Sequence, residues 1–166
     1  MNSIIAIAYK ELRHFFDTLT ALILCTLFLL LTGFFTWIST NNILETQQAD
    51  LSVFFNISFW ALFFFIPAIA MRLISEEKRS GTMDLLLTKP IYPIQIIIGK
   101  FLAVFILITI ILVLTLPYYF SIAFLGNPDG GAVLGGYIGL LLLSGALISI
   151  ALLAGSITRN SIITFL

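Results

Sequence analysis

The residues best suited to interaction chemistry lie near the middle of the 166-residue chain, in the stretch RLISEEKRSGTMDLLLTKP. It holds an acidic pair, Glu76 and Glu77, followed by Gly81, Thr82 and Asp84. Gly81 suits the left-handed residue that ends a helix, and Thr82 suits the N-cap of a new helix that has Asp84 in its first turn. This pattern predicts a helix, a sharp glycine turn and a short second helix, which is a candidate docking element for a partner.

The short helix predicted over residues 82–89 has an apolar surface that needs a cover. Leu85, Leu86 and Leu87 are consecutive, and Pro90 ends the helix shortly after them. Such a surface is stable only against the membrane or another protein. The competing interpretation is a solvated loop whose charges only set the membrane topology, and the residues alone leave both interpretations open.

Catalytic chemistry has no comparable candidate in the sequence. His14 and Cys25 are the single histidine and the single cysteine, which excludes a histidine-cluster metal site, an intrachain disulfide and a cysteine-based metal site. Gly99 and Lys100 lack the rest of a glycine-rich phosphate-binding loop. No predicted span holds an acidic pair or a nucleophile beside a base. We therefore expect no catalytic residue, no metal site and no cofactor in this chain.

The composition indicates that membrane helices position the segment 81–92, which we call the docking segment. Of the residues, 60% are hydrophobic and 10% are charged, and the mean hydropathy is +1.14. A soluble domain is about half apolar and about a quarter charged, so this much apolar surface requires a lipid bilayer as partner. The net charge is zero, and we therefore expect no nucleic-acid partner.

Four charge-free windows are long enough to cross the bilayer, which takes about 20 residues of helix. They are continuously apolar rather than alternating, and backbone polar groups in lipid must bond within their own segment, so helices are predicted rather than strands. The predicted fold class is an all-α, polytopic transmembrane helix bundle that forms a single domain, 1–166. The predicted spans are 19–39, 53–71 with a helical extension to about residue 80, 93–120 and 132–157.

The third span is predicted to begin before its charge-free window. Pro90 and Pro93 both stop a helix from passing through them, and Pro93 suits a first helical turn. Lys100 then lies one to two turns inside the span. We expect its ammonium group to snorkel along the helix toward the cytoplasmic headgroups.

The distribution of basic residues predicts the orientation of the bundle. Lys10 and Arg13 precede the first span, Arg159 follows the fourth, and the other five basic residues lie between spans two and three. The two remaining connections hold no basic residue. Because basic loops stay in the cytoplasm, the N-terminus and the docking segment are both predicted to be cytoplasmic.

Two further segments flank the four spans. In residues 2–18, apolar residues recur at helical spacing, with Lys10, Glu11 and Arg13 among the charged residues on the opposite side. This predicts an amphipathic helix in the membrane interface, and a cytoplasmic extension of span one is the alternative. Residues 161–166 are predicted to start a fifth span, and we expect the chain to be a fragment of a longer, C-terminally truncated protein.

Small and polar residues inside the spans predict helix packing. Gly131, Gly135 and Gly139 are four residues apart in span four, so they share a helix face and permit close approach of another helix in the bundle, with a dimer seam or a pore lining as alternatives. Asn56 in span two is predicted to form an interhelical hydrogen bond rather than a substrate contact. No span has an ionisable group at its centre, which argues against a proton-driven carrier.

Together these residues resemble a known transporter family. The order Glu76-Glu77, Gly81-Thr82, Asp84-Leu85-Leu86, Pro90 and Gly99-Lys100 is similar to the loop between the second and third helices of ABC-2-type transporter permeases. It is most similar to the small six-helix subgroup that includes gliding-motility-associated and nitrous-oxide-reductase maturation permeases. The steps Lys10-Glu11-Leu12 and Thr158-Arg159-Asn160 also resemble that family, and the resemblance covers essentially the whole chain.

The resemblance implies that residues 82–89 form a coupling helix. In such transporters a separate cytoplasmic ABC ATPase subunit binds ATP and Mg²⁺, and its motion reaches a homo- or heterodimer of permease subunits through this loop. The implied location is the bacterial inner membrane. The alternative is a non-transporting structural subunit that scaffolds a membrane complex. The residues that the resemblance implies for ATPase contact are Glu76, Glu77, Gly81, Thr82, Asp84 and Leu85.

Overall fold

The computed structural model describes residues 3–38, 50–80, 92–126 and 128–157, and the regular structure in these ranges is all helical. Four stretches are long and apolar enough to cross a membrane, namely Thr20–Trp37, Ser52–Ala70, Ile94–Leu125 and Gly130–Ser156. The predicted all-α polytopic bundle is therefore confirmed. Its helices are α1 (Ser3–Asp17), α2 (Thr20–Trp37), α3 (Ser52–Ser80), α4 (Pro93–Val113), α5 (Leu116–Leu125) and α6 (Gly130–Ile157).

The N-terminal helix α1 is separate from the first span. Leu19 lies between α1 and α2 with φ 58° and ψ 0°. This left-handed conformation breaks the right-handed helix at that residue, although it is unfavourable for an L-residue with a side chain. At the end of α1, the carbonyl oxygen of His14 accepts two hydrogen bonds from Thr18, one from the backbone N–H at 3.0 Å and one from the hydroxyl at 2.7 Å. The segment therefore does not continue span one as a single helix, and α1 packs instead along α4.

The core of the bundle lies between α3, α4 and α6, with α2 packed on α3. Apolar side chains also cover the outside, as at Leu142 and Leu153 of α6, which are both well exposed. Lipid is the expected cover for those outward side chains. Large side chains that are fully buried include Phe28, Phe54, Leu62, Ile66, Leu107, Ile108, Ile111 and Ile148.

The third predicted span is interrupted rather than continuous. Helix α4 ends at Val113 and α5 begins at Leu116, with Pro117 in its first turn. Proline has no N–H to donate, so the carbonyl of Val113 loses its helical partner there. Thr115 bridges the break, since its hydroxyl donates to the carbonyl oxygen of Leu112 at 2.6 Å.

Candidate functional site

The structure describes the two helix ends that flank the predicted docking segment. Helix α3 continues out of its membrane-capable stretch through Glu76 and Glu77 to Ser80, and α4 begins at Pro93. The side chains of Glu76 and Glu77 lie outside the described part of the chain. So do the predicted coupling helix 82–89, the start of a fifth span at 161–166, and the predicted contact residues Gly81, Thr82, Asp84 and Leu85.

Below these helix ends, a buried lysine joins three helices. Lys100 of α4 forms an ion pair with Glu11 of α1, with 3.6 Å between Nζ and Oε1. The same ammonium group donates a hydrogen bond to the carbonyl oxygen of Leu73 in α3 at 3.3 Å. The side chains of Lys100 and Glu11 are only 4% and 8% exposed. We call this contact of Glu11, Leu73 and Lys100 the three-helix junction.

The three-helix junction corrects two expectations. Lys100 was expected to snorkel toward the headgroups, but its ammonium group turns inward to the carboxylate and the carbonyl that are within reach. Glu11 was expected on the charged side of the N-terminal amphipathic helix, opposite its apolar residues, but it is buried against α4. The physical reason is the same for both, because a charge that has left water is stabilised only by a partner of opposite sign and by hydrogen bonds.

A glycine beside the lysine lets α1 and α4 approach closely. A Cβ placed on Gly99 would lie 2.7 Å from Cγ2 of Ile7 and 3.2 Å from the carbonyl oxygen of Ile4. Any larger residue at this position would push α1 away from α4. Gly99 therefore determines how near the carboxylate of Glu11 comes to Lys100, the next residue along α4.

At the end of the bundle opposite the three-helix junction, tyrosine hydroxyls link neighbouring helices. Tyr118 of α5 donates a hydrogen bond to the carbonyl oxygen of Leu29 in α2 at 2.8 Å, and it fits there because Gly33 has no side chain in its way. Thr115, at the break between α4 and α5, lies 3.0 Å from the hydroxyl of Tyr137 in α6. The ring of Phe54 packs between both tyrosines, so this end holds four helices in contact.

Replacing Tyr118 by phenylalanine should lower the free energy of unfolding by about 0.6 kcal/mol, the average for hydrogen bonds between membrane helices. The ring and its packing stay, and only the bond to Leu29 is lost. Unfolding in mixed micelles measures the change. Tyr119→Phe is the matched control, because the Tyr119 hydroxyl has no hydrogen bond within the described residues and its loss should change little. Equal effects of the two variants would contradict the assignment.

The three glycines that were predicted to pack inside the bundle lie on its surface. Gly131, Gly135 and Gly139 are exposed, and Gly135 and Gly139 would meet nothing within 4 Å on gaining a Cβ. In the described part of the chain the close approach is made instead by Gly136, where a Cβ would overlap the ring of Phe55 in α3.

Asn56 is likewise exposed. Its side chain makes no hydrogen bond within the described ranges, so the interhelical bond expected there is not formed among those residues.

Sequence reasoning missed the partnership of Glu11 with Lys100. The available signal was the depth of Lys100, six residues inside the membrane-capable stretch Ile94–Leu125, since an ionisable residue at such depth usually has a partner. The identity of that partner had no local signal, because Glu11 is 89 positions away.

Comparison with known families agrees with this architecture. Residues 5–162 match the family described as ABC-2 family transporter protein, and this range begins within α1 and contains α2 through α6. Comparison with curated proteins gives no match. Because the family match covers nearly the whole chain, including both helices of the ion pair and both ends of the docking segment, the chain belongs to the ABC-2 family of transporter proteins.

Proposed function

We propose that the chain is the transmembrane permease subunit of an ABC-2-type transporter, similar to the small six-helix subgroup. A separate cytoplasmic ATPase subunit binds ATP and Mg²⁺ and docks on the segment between α3 and α4. Two permease subunits, identical or different, form the translocation unit in the bacterial inner membrane. The family match over residues 5–162 is the observation that carries this proposal.

The arrangement of the described helices supports this use of the loop. Helix α3 extends to Ser80, eight residues beyond Arg72, the first charged residue after its apolar stretch, and α4 begins at Pro93. The intervening segment therefore starts outside the apolar layer, where a soluble subunit can reach it. Five of the eight basic residues lie in this part of the chain or at its borders, which favours the cytoplasmic side.

Co-purification tests the proposal directly. The full-length permease, co-produced with a candidate ABC ATPase subunit, should retain that ATPase on an affinity column, and ATP hydrolysis by the complex should differ from that of the ATPase alone. A variant with Leu85, Leu86 and Leu87 replaced by serine should lose the ATPase, because the apolar surface of the docking helix is removed. Failure of the full-length protein to retain any ATPase subunit would refute the proposal.

Gly81→Val should abolish stimulation of ATP hydrolysis by the permease. A left-handed residue is expected at the turn between α3 and the docking helix, and a β-branched side chain strains that conformation. The measurement is the ATP hydrolysis rate of the reconstituted complex. Ser80→Val, one residue earlier and still within α3, is the control that adds the same side chain without the turn requirement. If the Gly81→Val complex hydrolysed ATP at the wild-type rate, Gly81 would have no role in coupling.

A further inference from the structure

We propose that Glu11 and Lys100 are a positioning pair, through which the loop between α3 and α4 and the N-terminal helix α1 move as one unit when the ATPase subunit drives transport. The proposal rests on the proposed permease function. It assigns a role to an ion pair that lies outside the docking segment itself. The geometry that carries it is the meeting of α1, α3 and α4 at one buried ammonium group.

The three-helix junction lies at the base of the docking segment. Leu73 is seven residues before the end of α3 at Ser80, and Lys100 is seven residues after the start of α4 at Pro93. At about 1.5 Å per helical residue, each contact is about 10 Å from the corresponding end of the loop. A displacement of the docking segment by a docked ATPase therefore reaches Leu73 and Lys100 through about two rigid turns of helix on each side.

Helix α1 is held to this base by shape as well as charge. Ile7 and the carbonyl oxygen of Ile4 lie against Gly99, so α1 has no space to slide toward α4. Glu11, one turn along α1 from Ile7, then reaches the ammonium group of Lys100. Motion of the base of the loop is transmitted to α1 by compression at Gly99 and by attraction at Lys100.

The type of contact between Glu11 and Lys100 indicates its role. Apolar residues of similar volume usually hold buried helices together as well as an ion pair does, or better. In some proteins, buried polar or ionic groups instead impose one particular alignment of the elements that carry them. We infer that the three-helix junction keeps α1, α3 and α4 in one relative position. An apolar contact that only holds these helices together would not replace it.

The experiment separates alignment from adhesion with a paired substitution. The double variant Glu11→Leu/Lys100→Met keeps an apolar contact of similar size, and Lys100→Arg keeps both the charge and the donor. The matched control is Arg13→Gln/Asp17→Asn, which removes an exposed ion pair from the same helix α1. All variants are made in the full-length permease, co-produced with its ATPase subunit and reconstituted in lipid.

The readout is an ATP-driven distance change at the far end of the bundle. Cys25 is the single cysteine of these 166 residues. In a full-length permease from which Cys25 and every other cysteine have been removed, spin labels are attached to cysteines placed at two exposed positions, Ile38 after α2 and Leu134 in α6. The distance between the labels is measured without nucleotide and with ATP and vanadate. Complex formation, thermal stability and the KM for ATP are measured on the same samples.

The apolar pair should keep the complex, its stability and the KM for ATP, yet lose the ATP-driven distance change. ATP hydrolysis by that complex should fall at least about fivefold, the lower range of coupling between linked sites. Lys100→Arg and the Arg13/Asp17 control should behave as wild type. An apolar pair that retains the distance change, or one that loses the ATPase subunit altogether, would overturn the positioning role. Failure of the wild-type permease to bind an ATPase would refute the proposed function instead.

Discussion

Lys100→Met should lower the free energy of unfolding by about 3–5 kcal/mol, the usual cost of leaving one member of a buried ion pair without its partner. Methionine is nearly as long as lysine, so the substitution removes the charge and the hydrogen bond to Leu73 while keeping most of the volume. The carboxylate of Glu11 then remains buried without the cation that faces it. Equilibrium unfolding in mixed micelles, followed by the fluorescence of the two tryptophans, measures the loss.

Two further variants show whether the loss comes from the unpaired charge. Adding Glu11→Leu to Lys100→Met removes that charge and should recover most of the lost stability, since well-packed apolar residues replace buried ion pairs at little cost. Arg13→Gln breaks a pair whose side chains are more than half exposed and should change stability by less than about 1 kcal/mol. A Lys100→Met variant that is as stable as wild type would contradict the stabilising role of the buried ion pair.

Gly136→Ala should be the most harmful of the small substitutions in α6, lowering the free energy of unfolding by about 1–3 kcal/mol. The added methyl group would overlap the ring of Phe55, which packs edge-on against both Phe54 and Tyr137. The ring therefore has little room to move aside, and α3 and α6 must separate.

The neighbouring glycines supply matched controls for this substitution. Gly135→Ala and Gly139→Ala make the same chemical change in the same helix, but nothing described lies within 4 Å of the new Cβ. Alanine is the better helix former, so these variants should be neutral or slightly more stable. The comparison is made by unfolding in micelles and by far-ultraviolet circular dichroism. Equal destabilisation at positions 135 and 136 would show that helix propensity, and not the contact with Phe55, determines the result.

The membrane spans were predictable from the sequence because lipid demands long apolar helices whatever their neighbours are. The side of each helix that packs was harder to predict. Helix α6 is apolar on all sides, so glycine spacing was the one available cue, and it selected Gly131, Gly135 and Gly139. Adjacent residues are about 100° apart around a helix, and the packed face is centred near Gly136 instead.

The three-helix junction was only half predictable. Proline positions and charge spacing placed Lys100 inside the third span, and the structure places it there. Its inward orientation depends on Glu11 and on the carbonyl oxygen of Leu73, which come from distant parts of the chain. Snorkelling and ion pairing both satisfy a lysine at this depth, and only the tertiary arrangement of α1 decides between them.

The position of Glu11 also has a consequence for biosynthesis. Glu11 and Lys100 are 89 positions apart, and a ribosome adds about 5–20 residues per second, so about 4–18 seconds pass between their synthesis. During that interval α1 has neither its counter-ion nor the glycine surface on which it packs. Of the helices described, the one translated earliest is therefore among the later ones to reach its final place, because α1 can dock only after α4 has been synthesised.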